Sequence, residues 1–265
     1  MQLNSQKPAK IFLPLSLGVT AIVIFAANLA GQDYVVLATN LVDLIITIPL
    51  VFLSVLVVVQ NGTTGNFGKA WICFAIFVVF WFIAETLWTI YEMIYKIDTF
   101  PSEADLFWLT GYSVYFLFTI FYLKPFKNSI SSKTIAASVG VSAILLVFLI
   151  FVVSLESFTF ENVVAASYPI ADAIVLAPTV VGLSLFLRGK VSFLWSLLLF
   201  GMLCSVVADI GFQILSANEQ YYTGHPVDIL FLWAYVFFAF GIYHHLGIFR
   251  MRNGEDRFNY QEKLR

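Results

Sequence analysis

Apolar residues recur along this chain in eight long runs separated by short polar connections: residues 11 to 30, 34 to 59, 69 to 95, 103 to 123, 134 to 154, 162 to 187, 191 to 215 and 227 to 249. A helix of about 20 residues crosses a hydrocarbon core of about 30 Å, so each run is long enough to span it. The pattern predicts an all-α, polytopic membrane protein with eight transmembrane helices. The first run is too long for a removable signal peptide and lacks a small-residue cleavage site, so it is expected to stay as an anchor.

The connections set the orientation, because basic residues are retained on the cytoplasmic side. With the N-terminus inside, Lys7, Lys10, Lys69, Lys124, Lys127, Lys133, Arg188, Lys190, Arg250, Arg252, Arg257, Lys263 and Arg265 are cytoplasmic, and only Lys96 is outside. Both termini are therefore expected in the cytoplasm of a cell whose plasma membrane holds the bundle. Composition agrees: 60% of residues are hydrophobic and 11% charged, against roughly a quarter charged in soluble domains. The net charge of -2 says little, since the basic residues gather on one face, where they suit anionic headgroups. No connection is long enough for a soluble domain, which confines any chemistry to the bundle or to a partner. Cys73 and Cys204 lie at depths that do not suit a disulfide.

Spacing along the chain points to an internal duplication. Asp43 is followed by Pro49, as Asp172 is by Pro178; Glu85 precedes Asp105 as Asp209 precedes Asp228; and Tyr112 and Tyr235 each follow the later acid by seven residues. The expected units are residues 1–130 and 131–253, two parallel four-helix repeats, followed by a charged cytoplasmic tail over 254–265. Parallel repeats are related by an axis along the membrane normal.

Translated into depth, Asp43, Glu85, Asp172 and Asp209 all fall in the outer half of the membrane. An ionised carboxylate there costs about 2.5–3.5 kcal/mol on the translocon scale unless it faces the bundle interior, a partner or water. Helical spacing groups them with other polar residues. Glu85, Thr89, Glu92 and Lys96 share one face, and Ser205, Asp209, Gln213 and Ser216 another; Thr39, Asn40, Asp43 and Thr47 add a second polar face, matched by Tyr168 and Asp172. The expectation is one small acidic, hydroxyl-rich pocket per repeat, opening outward. The competing reading makes these acids packing glue, hydrogen-bonded between helices. Their matched positions in two copies favour a function.

Asp105 and Asp228 read first as helix starts. Ser102 and Asp105 fit a capping box, with the acid at the positive helix end. Asp228 follows His225 and Pro226, and proline suits a first helical turn. A place at the pocket mouth is the second reading for both, and Tyr112 and Tyr235 belong with them.

Residues required by several membrane chemistries are missing. No mid-membrane lysine is available for a retinal Schiff base, and His225 on one side cannot meet His244 and His245 on the other as zinc ligands. His244 and His245, being adjacent, diverge by about 100° on a helix, which reads as interfacial anchoring. Paired mid-helix haem histidines, a GxGD motif and a Gly-x-Ser-x-Gly elbow are absent. The expectation is a protein that is not an enzyme and uses no cofactor, with the metal content of its site open. Trp88, Tyr91, Tyr95, Trp108, Tyr221, Tyr222 and Trp233 read as an interfacial aromatic belt ahead of ligand stacking.

FPSEADLFWLTGY, residues 100–112, resembles a pattern P-S-x-A-D-x-x-x-L-x-G-Y in the multi-helix N-terminal membrane regions of bacterial and archaeal signalling proteins, among them diguanylate cyclases, their phosphodiesterase relatives and sensor histidine kinases. SYPIADAIVLAP, residues 167–178, and VVADIGF resemble further pieces of those regions. Pro101, Ser102, Ala104, Asp105, Gly111, Tyr112, Tyr168, Pro169, Asp172 and Asp209 carry the likeness. Those regions lead into a cytoplasmic output domain, which this sequence does not contain. The resemblance implies a sensor-like or regulatory module, and the outward acidic pockets are expected to bind a cation, protons or a small polar ligand. Its partners would be the lipid bilayer and a cytoplasmic or membrane signalling protein, with no nucleic acid. The alternative is an ion or small-solute transporter or channel. Sparse polar lining in the inner halves of helices 2, 3, 6 and 7 favours a closed pocket.

Overall fold

The computed structural model describes the backbone of residues 6–152, 159–189 and 191–263, and the side chains of 11–148, 159–189 and 191–247. Its helices are α1 (Gln6–Ala30), α2 (Gln32–Asn61), α3 (Gly65–Thr89), α4 (Glu103–Leu123), α5 (Ser132–Val152), α6 (Phe160–Phe186), α7 (Ser192–Ala217) and α8 (Asp228–Lys263). No strand occurs among the described residues. Seven of the helices are long and apolar enough to cross a membrane, and Ser132–Phe148 of α5 is a shorter apolar stretch. The fifth expected crossing runs from residue 134 to 154, and its last two positions lie outside the described residues. So do the side chains of Lys7, Lys10, Lys190, Arg250, Arg252, Arg257, Lys263 and Arg265, and most of the expected tail, whose backbone continues α8 to Lys263.

Helices adjacent in sequence pack together except α4 and α5, and three further pairs complete the bundle: α1 and α2 lie against α8, and α4 against α6. The core is aromatic. Trp71, Phe74, Phe77 and Trp81 recur at helical spacing down α3 and face Tyr112, Tyr115, Phe118 and Tyr122 on α4, with Trp195 and Phe238 arriving from α7 and α8. Rings meet mostly edge to face, as Phe77 does with Tyr115 at 5.0 Å between centroids, the arrangement that ring quadrupoles prefer. Gly111 permits a close approach: a Cβ there would collide with the Trp81 indole.

At one rim, α3 passes into a π-helical turn, Ile90–Tyr95, and Lys96 follows in the left-handed region at φ 54. A π turn closes i→i+5 bonds and is wider than an α turn. Lys96 is consequently exposed, off the face it was expected to share with Glu85. At the opposite end, His244 and His245 are only 7% and 1% exposed. They pack on Phe193 at 4.6 Å and Trp71 at 4.7 Å. Interfacial anchoring is thus corrected to core packing, because α8 turns that end inward against α3 and α7.

Candidate functional site

Two helix starts frame the site, the first of them closed by a capping box. Ser102 Oγ accepts from the Ala104 N–H at 3.3 Å, and the Ser102 N–H donates to Asp105 Oδ2 at 2.7 Å. The expected capping role holds, and the second carboxyl oxygen does more: Asp105 Oδ1 accepts from the Tyr168 hydroxyl of α6 at 2.6 Å. Asp228 opens α8, two residues beyond Pro226, and accepts from the Gly224 N–H at 2.7 Å and from Tyr221 at 3.2 Å. Gly224 has φ +92, and a Cβ there would strike Val35 and Thr39 of α2, so the turn before α8 can lie flat on that helix. Its carbonyl accepts from Asn28 at 2.8 Å, while Tyr222 donates to the other end of the same amide at 2.9 Å.

Between these starts, residues of α2, α3, α4, α6, α7 and α8 line a cavity of about 90 Å³ that is open to solvent. Asp43, Glu85, Asp105, Asp209 and Asp228 all reach it, and among the described residues no Lys, Arg or His does. One cavity thus takes acids from both proposed repeats, where two separate pockets were expected. The reason is the packing of α2 on α8 and α4 on α6, which turns the polar faces of both halves toward each other.

At the cavity floor the halves exchange tyrosines. Tyr112 of α4 donates to Asp209 Oδ2 of α7 at 2.8 Å, and Tyr235 of α8 donates to Glu85 Oε1 of α3. Neither tyrosine stands at the mouth with the helix caps; both are buried beside the Trp81 indole, edge to face at 5.2 and 5.8 Å. Trp81 Nε1 donates to the Trp108 carbonyl at 3.1 Å, and Trp108 Nε1 to Glu85 Oε1 at 3.3 Å. The Asp43 carboxyl lies within hydrogen-bonding reach of Glu85. Asp172 stands beside Asp209 and Tyr112. It is fully buried, and neither of its oxygens accepts from an ordinary donor. A carboxyl pair in contact completes a hydrogen bond only if one member carries a proton.

The remaining candidates divide into wall and support. Asn40, Ser205 and Gln213 line the cavity; Thr89, Glu92 and Asp172 stand behind it. Thr89 donates to Asn40 Oδ1 and Asn40 Nδ2 to Glu92 Oε2, each at 2.8 Å, which ties α2 to the end of α3. Gln213 Nε2 donates to the Ala165 carbonyl of α6 at 2.8 Å. Pro169, four residues on, has no N–H to offer that carbonyl, and a neighbouring helix supplies the donor, as membrane helices containing proline require. Ser102 and His225 are outside the lining; His225 Nδ1 accepts from the Val227 N–H at 3.2 Å.

Several wall residues lay hidden in the expected aromatic belt. Trp88, Trp108 and Tyr221 line the cavity, and Trp88 meets Phe212 across it at 6.2 Å. Tyr222 and Trp233 instead fasten α1, Trp233 donating to the Leu17 carbonyl at 3.0 Å. Composition marks aromatic side chains near an interface without telling a lipid-facing ring from a cavity-facing one. Among the described residues no three His, Cys, Asp or Glu side chains gather closely enough to hold a metal ion. Comparison with protein-family models, curated proteins and solved structures finds no match to this chain.

Proposed function

We propose that this protein is a membrane-embedded binding module of the sensor or regulatory kind, taking its ligand into the acid-bearing cavity from the outer side and passing a change in helix packing to a partner. One observation carries the reading: the cavity is shared by both halves and stops on a packed aromatic floor. Beneath it Phe77, Tyr115, Phe118 and Phe238 are all buried. A ligand touching Glu85 or Asp209 bears directly on the tyrosine from the other half, so occupancy and inter-helix packing are coupled through the same hydroxyls. Catalysis is not part of the proposal, and neither is a cofactor.

Duplication belongs to the same reading. The exchange of Tyr112 and Tyr235 supports it, as does the matched adjacency of α2 with α8 and α6 with α4. So does the resemblance of residues 100–112 to sensor regions of signalling proteins. With the basic connections inside, the cavity rim faces out across the plasma membrane.

Flux tests the reading. Purified protein in liposomes is assayed for uptake across a panel of inorganic and organic cations, with and without a pH gradient. The module is expected to leave every gradient unchanged. Cation- or proton-dependent uptake, abolished by Glu85→Gln or Asp209→Asn, would replace it with a transporter.

A further inference from the structure

We infer that the ligand of this cavity is a small organic cation, an alkylammonium or quaternary ammonium ion, an assignment that rests on the binding-module reading and specifies its substrate class. Two kinds of wall converge on it. The first is carboxyl-bearing: Asp43, Glu85, Asp105, Asp209 and Asp228 line the space, with no basic side chain among the lining residues to compete for them. Asp43 Oδ1 and both oxygens of Asp172, close by, receive no hydrogen bond from an ordinary donor. The second is aromatic. Trp81, Trp88, Trp108, Phe212 and Tyr221 present rings to the same space.

Each wall narrows the chemistry. An anion would meet ring quadrupoles that repel it and no lining counter-charge. A metal ion needs three or more hard ligands on one centre, and the described residues offer no such group. A poorly hydrated organic cation satisfies both walls at once: its charge offsets the carboxylates, while its alkyl surface lies against the rings, which attract cations within about 6 Å of their centroids. Trp is the strongest such ring, and three line this cavity.

The experiment uses the full chain in lipid nanodiscs and reads tryptophan emission. Choline, tetramethylammonium and propylammonium are titrated beside 3,3-dimethylbutan-1-ol, the neutral isostere of choline, and beside sodium and calcium at matched ionic strength. Saturable changes are expected for the ammonium ions, with the isostere at least about tenfold weaker and neither metal ion competing. Glu85→Gln is expected to weaken choline about tenfold. Trp88→Leu, at a half-buried ring that holds none of the carboxyl hydrogen bonds, should weaken it several-fold without disturbing the floor, which guards against a Glu85 variant that fails to fold. Equal binding of the isostere, or displacement by sodium or calcium at the same concentration, would overturn the cation assignment and leave the binding module standing. Absence of any saturable response to the ammonium ions overturns the assignment too. If a cysteine placed at Phe212 also resists aqueous thiol reagents, the open cavity and the binding-module reading fall with it.

Discussion

Tyr112 on α4 donates its hydroxyl hydrogen to Oδ2 of Asp209 on α7, 2.8 Å away and 97 positions along the chain. Its counterpart, Tyr235, does the same for Glu85 in the opposite direction. Removing either hydroxyl leaves a buried carboxyl short of a donor. Tyr112→Phe and Tyr235→Phe should each lower stability by about 1–2 kcal/mol. Tyr115 faces only the Thr179 hydroxyl, at 3.3 Å, so Tyr115→Phe should cost about 0.5 kcal/mol. Unfolding midpoints in mixed micelles check the ranking; three equal losses would deny the carboxyl bonds their special weight.

Trp81 occupies the space that a side chain at position 111 would need. Gly111→Ala should therefore push the indole off the cavity floor, at a cost of about 1–3 kcal/mol for overpacking a tight core. The same variant should red-shift tryptophan emission as Trp81 gains contact with water. An unshifted spectrum with unchanged stability would refute the floor arrangement.

His225 makes the rim turn pH-sensitive. Burial lowers its imidazole pKa, and the neutral Nδ1 accepts from Val227. Because the folded value lies below the ordinary one of about 6.5, the stabilisation is complete above that range. It is lost as pH falls through the ordinary value toward the depressed one. Amide exchange at Val227, corrected for its intrinsic pH dependence, should accelerate below about pH 6. His225→Asn, which keeps an acceptor that does not titrate, should flatten the profile; an equally steep profile in that variant assigns the effect elsewhere.

Single cysteines test the threading. In a background without Cys73 and Cys204, cysteines replacing Asp98 and Ile130 flank α4 on either end. Impermeant reagents should label them from opposite sides of the membrane. Labelling from one side would remove the crossing by α4 and the eight-helix path.

Much of the site was legible before any contact was known. Apolar run lengths gave the helices, because the bilayer admits few other backbone structures. The capping box at Ser102 and Asp105 was equally local, since its bonds span three residues. Six of the nine predicted ligand-binding side chains line the cavity. The misses share one cause. Thr89, Glu92 and Asp172 sit on the predicted helical faces yet behind other residues, and periodicity gives a direction without a distance. Lys96 left its face because a π turn altered the helical period.

What the sequence alone determined is everything held within one helix or one turn: the all-α class, the long apolar helices, and the capping box at Ser102. Hydrophobic length and backbone hydrogen bonding act locally, so they can be read along a line. Only the tertiary structure decided that α2 meets α8 and α4 meets α6. That pairing merges two expected pockets into one, sends Tyr112 and Tyr235 to acids in the other half, and turns Trp88, Trp108 and Tyr221 from an expected belt into cavity walls. Those outcomes depend on which of several equally apolar faces fit together, a matter of shape that no single helix encodes.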